Sequence, residues 1–274
     1  MSATIRNAMK LFAAACALLL MGCNQPPGRP GHVQDEALLV KRMYNSFPAA
    51  GEDYFHAMDG GIKLSPAEVQ GRNTWIVWTG GNDRFWDGIT ASSAGALDFL
   101  KTLSSYPGLK ASRDNRWRYL GLVNEPCFVK ATGPDPQRFN LWLDKRVTGP
   151  DCPPDPFEDE KKYPGVATGA RGKTEGLPVG SYYGWASGIA GLRLFPNPAF
   201  DEKAAAKWRE ANTATTQRYY SDASYYQSKD LIKPYRVGMS CGFCHVGPNP
   251  LKPPADPEHP KWENLSSNVG AQYF

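Results

Sequence analysis

Long hydrophobic runs are missing from this chain. The longest, Leu11 to Met21, covers about 11 residues, well short of the ~20 a helix needs to cross a bilayer, so no permanent membrane-spanning anchor is expected. Charge of one sign is lacking too, with 31 Lys and Arg against 27 Asp and Glu in 274 residues. No basic run is interleaved with aromatics, so nothing points to nucleic acid as a partner. No fixed-period repeat is visible, and the body is long enough for one large domain or two small ones. Cysteine is scarce. Of six, Cys16 and Cys23 lie in the N-terminal apolar segment, leaving Cys127, Cys152, Cys241 and Cys244 for the body.

The last two of these carry the most specific chemistry present. Cys241-Gly242-Phe243-Cys244-His245 is a C-x-x-C-H pattern. Two thiols at this spacing can add across the two vinyl groups of a haem, and the adjacent histidine then falls on the iron as an axial ligand. Three other readings compete. A thioredoxin-like dithiol opens a domain that continues well beyond it, whereas His245 is followed by only 29 residues (274 less 245). A structural zinc site needs four ligands, commonly a second C-x-x-C or a paired histidine set, and Cys127 and Cys152 lie far away in the sequence. The third is chance. The pattern is read as a haem c attachment site formed by Cys241, Cys244 and His245, with iron on His245.

The N-terminus agrees with that reading. Arg6 and Lys10 precede the apolar run, as in an export signal over residues 1–23. The run ends in Leu20-Met21-Gly22-Cys23, which resembles the bacterial lipobox, although methionine replaces the usual small or β-branched residue two before the cysteine. Cys23 is the expected lipidation site, and Cys16 would be discarded with the signal. Asn24 directly after it resembles lipoproteins sorted to the outer membrane. Residues 24–33 form a polar, Pro/Gly-rich tether. Covalent haem attachment takes place outside the cytoplasm, so export and C-x-x-C-H predict each other. The expectation is a protein on the periplasmic side of a bacterial envelope, held to a membrane by a lipid anchor.

The body, 34–274, is expected to be mainly α with extensive irregular loops, given 24 prolines and 27 glycines in the chain and a heavy load of 8 Trp, 13 Tyr and 12 Phe. Helices are expected at Gln34–Phe47, Pro66–Trp78, Ser93–Ser104, Asp114–Leu122, Pro136–Lys145, Glu202–Arg218 and Ser221–Lys233, with a short strand at Leu192–Phe195. The second of these is the best marked: Ser65-Pro66-Ala67-Glu68 is a capping box with proline at the first helical position. In an exported chain, Cys127 and Cys152 are expected to pair as a structural disulfide.

Three groups are candidates for the iron's other axial position: His56, Met58 and His259. No methionine follows the motif, where simple cytochromes c usually supply theirs. Arg236 is a candidate partner for a haem propionate.

With these residues on view, the chain resembles c-type cytochromes. The segment Leu64 to Trp75 is similar to the helix that leads into a cytochrome c attachment site, with Gly71-Arg72 followed by an aromatic. In those domains the first haem cysteine tends to come eight positions after the glycine. Here that place falls on Thr79-Gly80-Gly81-Asn82-Asp83, as in an element that has lost its haem. The late motif, followed by Val246-Gly247-Pro248-Asn249-Pro250, resembles the N-terminal part of large dihaem cytochrome c peroxidase and rubber-oxygenase-like bacterial proteins. Those carry a second haem downstream. This chain has one motif and reads as a fragment stopping where a helix begins, at Asn268–Phe274. The resemblance implies cytochrome c-like helices around the haem and an electron-transfer role with redox partner proteins. The alternative is a piece of a peroxidase- or oxygenase-like enzyme.

Overall fold

The computed structural model describes residues 36–166 and 175–268. The signal segment with Cys16 and Cys23, the tether, His32 and the terminal helix expected past Asn268 lie outside the described residues. After a short helix α1 (Glu36–Leu39), the longest helix among the described residues is α2 (Pro66–Val77). Its start is set locally: the Ser65 hydroxyl accepts from the Glu68 amide, and the Glu68 carboxylate accepts from the Ser65 amide at 2.8 Å. Gly80 and Gly81, both at positive φ, then reverse the chain into α3 (Asp83–Ser92). Sequence reading treats that glycine pair as an end and misses the helix that resumes two residues later.

Other expected helices shrink because left-handed residues interrupt them. Ala94 and Gly95 at positive φ leave only α4 (Phe99–Thr102) of the expected Ser93–Ser104. Helix α5 (Arg116–Leu120) ends on left-handed Gly121. The segment Pro136–Lys145 is no helix: after a single 3₁₀ turn at Pro136–Arg138, Phe139 and Asn140 take positive φ. The chain then extends into β2 (Lys145–Arg146), which pairs with β1 (Phe128–Val129). Helix α6 (Glu202–Ala211) stops at Asn212, six residues before the expected Arg218, and is followed by α7 (Arg218–Ser221) and α8 (Ala223–Tyr226).

The centre is instead an antiparallel sheet of β3 (Trp185–Ala186), β4 (Leu192–Pro196) and β5 (Tyr235–Met239), with β4 in the middle and Leu192 opposite Met239. The strand expected at Leu192–Phe195 is therefore present, and β5 is new. Helix accounts for 31% and strand for 14%. The expectation of a mainly α, cytochrome c-like helical body is thus corrected: positive-φ residues cut the helices short, and a buried sheet holds the middle.

Two apolar cores flank the turn after β5. One gathers Phe99, Leu103, Leu192, Trp208 and Phe243; the other gathers Phe55, Met58, Ile76, Phe157 and Val246. Between regular elements, buried charges tie the loops. Asp144 accepts from Arg116 at 3.1 Å, from Ser105 at 2.7 Å and from the Ala131 amide at 3.2 Å. Arg193 donates to Asp155 at 2.6 Å and to the carbonyls of Tyr183 and Gly184. Cys127 and Cys152 are bonded, with Cα atoms 5.5 Å apart.

Replacing both Cys127 and Cys152 by serine should lower unfolding free energy by about 3–4 kcal/mol, the loop-closure value for this separation, measured by denaturant titration. A second test concerns pH. Burial pushes the Glu125 carboxyl up to about 7 despite the nearby Arg146 and Arg193 guanidiniums. The folded state therefore holds this proton more tightly than the unfolded chain does. Stability should fall as pH rises from about 4.5 to about 7, by roughly 3 kcal/mol from this group. Glu125→Gln should flatten that slope.

Candidate functional site

The C-x-x-C-H residues lie just beyond β5, where Ser240 ends the pairing. Its amide donates to the Gly191 carbonyl at 2.8 Å and its hydroxyl to the Ile76 carbonyl at 2.6 Å, joining the sheet to α2. The chain then closes a single helical turn, α9 (Gly242–His245). The Cys244 and His245 amides both donate to the Cys241 carbonyl at 3.2 Å, and the Val246 amide donates to the Gly242 carbonyl at 2.8 Å. Strand β6 (Gly247–Pro248), paired with β7 (Leu265–Ser266), leads away.

Two glycines permit this turn. A Cβ on Gly191, which sits at φ +81°, would lie 2.0 Å from the Phe243 nitrogen. One on Gly242 would lie 3.1 Å from the Ile76 Cα. Phe243 is buried against Phe99 at a ring separation of 5.5 Å, and Val246 is fully buried in the other core. The two apolar residues pin the turn at either side, while Cys241 is exposed and Cys244 packs against the core that holds Phe243.

Cys241 is exposed and Cys244 half-buried, and their sulfurs are not joined. Burial pushes the Cys244 thiol up from its ordinary value, and Cys241 nearby adds to the shift. That is opposite to the depressed thiolate of a dithiol oxidoreductase. His245 is half-buried. Its ring lies 4.9 Å from that of Trp75, tilted by 47°, and its Nδ1 is buried with no hydrogen-bond partner. Among the described residues no three His, Cys, Asp or Glu side chains gather as a metal-binding group, so a zinc cluster finds no second pair of ligands here.

The other expected site residues are dispersed. His56 is exposed, its Nδ1 3.0 Å from the Asp53 carbonyl. His259 is also exposed, with Nδ1 2.7 Å from an Asp256 carboxylate oxygen. Met58 is fully buried in the core that includes Val246. Arg236 is not free at the surface. It is buried on β5 between Asp83 and Asp87, at 3.6 and 3.7 Å.

The stretch Thr79–Asp83 has a structural task. The Asn82 side chain donates to the Met239 carbonyl at 2.6 Å and accepts from the Met239 amide at 2.9 Å, completing the edge of β5 as a strand would. Thr79 packs on Gly238. The residues that fall by count where a cytochrome motif would lie are thus wedged against β5, the strand that leads into the C-x-x-C-H turn.

Two larger hollows are present: about 730 Å³ beside Phe47, Trp78, Gly80 and Tyr182, and about 580 Å³ beside Asp59, Pro248 to Lys252 and Ser266. The motif side chains line neither. Sequence reading missed Gly191 and Trp75 as parts of this site. Trp75 carried a signal, as the aromatic near the end of α2; Gly191 carried none.

No helix among the described residues is long and apolar enough to cross a membrane. No protein-family model, curated protein or solved structure matches the chain.

Gly191→Ala should destabilise the protein by about 3 kcal/mol or more, combining backbone strain with a clash against the turn. Gly149→Ala, where an added Cβ meets open space, should leave stability nearly unchanged. Thermal unfolding of the two variants compares them directly.

Proposed function

We propose that the chain is an exported c-type haem protein that passes single electrons. The observation that carries this reading is the turn at 241–245, where two unjoined, solvent-reachable thiols precede a histidine with a buried, unpartnered ring nitrogen. These residues fit a covalent haem. The thiols one helical turn apart lie on the same side of α9. Each can add across a vinyl group, its sulfur bonding one carbon and its hydrogen passing to the other. With one ring nitrogen of His245 carrying the proton, the other is free to bind iron. When bound, haem supplies an iron centre that stores and releases one electron.

The remaining roles belong to the chain. Phe243 and Val246 fix the turn in two cores, so the attachment residues sit on a rigid support. The 1–23 segment would deliver the chain to the compartment where attachment occurs. A lipid on Cys23 and the 24–33 tether would hold the body beside a membrane, facing redox partner proteins.

A second reading is favoured by one observation. Both candidate histidines are engaged with their own neighbours, and Met58 is packed in a core. Neither histidine nor Met58 could hold a haem iron without giving up those contacts. A haem held by His245 alone would suit peroxide- or dioxygen-handling chemistry.

The visible spectrum separates the readings. After coexpression with haem-attachment machinery, the colour should survive acid–acetone extraction and be lost in Cys241→Ser/Cys244→Ser. A ferrous spectrum indifferent to carbon monoxide supports the carrier; a carbon monoxide shift supports the enzyme. Colour that extracts fully overturns both.

A further inference from the structure

A histidine bound to a metal nearly always donates its second ring N–H to a carbonyl or carboxylate, which fixes the ring and makes it a stronger electron donor. His245 departs from this arrangement. Its Nδ1 is buried with no hydrogen-bond partner among the described residues, and a buried polar atom left without a partner is destabilising. What lies against the ring is the Trp75 indole, 4.9 Å away.

That indole is held from several sides. Its Nε1–H donates to the Ser267 carbonyl at 2.9 Å. Ser267 is in turn held by Asp59, whose carboxylate accepts from the Ser267 amide and hydroxyl, each at 2.7 Å. On the helix side, Ser240 bonds the Ile76 carbonyl, and Gly242 sits against the backbone of Trp75 and Ile76. Trp75 is therefore a fixed wall and not a mobile surface ring.

We infer that Trp75 is the positioning residue for His245: it orients the imidazole by packing, and it keeps water and other acceptors from Nδ1. This rests on the haem reading above and deepens it. The consequence is electronic. An imidazole whose N–H finds no acceptor donates less charge to iron, so the oxidised state is stabilised less and the reduction potential is higher than with a hydrogen-bonded ligand. Trp75 thus tunes the iron without touching it.

The test uses the full mature protein with haem attached. Equilibrium redox titration is run on wild type, Trp75→Ala and Trp75→Phe. Opening the site in Trp75→Ala admits water to Nδ1 and should lower the potential by a shift equivalent to about tenfold in the one-electron equilibrium, ~59 mV. Trp75→Phe keeps a ring over the imidazole and should shift it by less than half as much. An alanine variant with full haem content, unchanged circular dichroism and the wild-type potential would overturn the inference and leave the haem reading intact.

Should Trp75→Ala not accumulate, the wild type decides through its ferrous proton spectrum. A His245 Nδ1 proton that exchanges with D₂O slowly supports shielding by the indole; one that exchanges like a free imidazole refutes it. Wild type purified without covalent haem overturns the haem reading and this inference together.

Discussion

The approach of Gly191 to the backbone of Phe243 governs the placement of everything around the motif. A single methyl at position 191 would occupy the space of the Phe243 nitrogen. The contact lets the 241–245 turn lie flat on the loop entering β4. From there Phe243 reaches one core, Val246 reaches the other, and Ser240 bonds α2. A turn of four residues has almost no stability of its own. Its shape is imposed by three neighbours, and it is rigid because two cores must be disrupted before it can move.

Buried charge plays an unusual part in a body with so little regular structure. Loop carbonyls and amides cut off from water still need partners. Here long side chains supply them. Arg113 donates to the carbonyls of Glu125 and Gly188, and Asn124 donates to those of Arg113 and Glu258. Asn73 on α2 donates to the carbonyls of Ala50 and Glu52. The carboxylates of Asp144 and Asp155 then balance the guanidiniums. This explains why Arg236, read from sequence as a candidate partner for a haem propionate, is internal: its aspartate partners Asp83 and Asp87 sit on α3, across from β5.

Features set by neighbouring residues were legible in the sequence. The capping box at Ser65, the Cys127–Cys152 pair and the strand at Leu192 all emerge where expected. The turns at Ala94, Phe139 and Asn140 were not legible, because non-glycine residues rarely take positive φ and only tertiary packing holds them there. Helix α3 was hidden by the glycine pair before it. The sheet was hidden because β5 pairs with a strand about 40 residues earlier, and its short apolar run resembles any buried segment. At the site, residue identities were legible while their surroundings were not. Trp75 and His245 are 170 positions apart (245 less 75) and meet only through the fold.

If the chain holds a haem as proposed, the placement of His259 bears on its chemistry. Its loop looks free in sequence, being rich in proline and close to the motif. In the fold the preceding residue anchors it: the buried Glu258 carboxylate accepts from the Trp117 amide at 2.8 Å and the Arg118 amide at 2.9 Å, at the start of α5. Hydrogen bonds to a charged group contribute about 1.5–3 kcal/mol each, so swinging the loop over a porphyrin would sacrifice several kcal/mol and strand a buried charge. An iron–imidazole bond could offset that only if it formed without further strain. Met58 faces a similar obstacle, since leaving its core would open a cavity beside Phe55 and Val246 costing about 2–5 kcal/mol. On the proposed reading, both constraints count against His259 and Met58 as further ligands and leave His245 as the residue that would hold the haem.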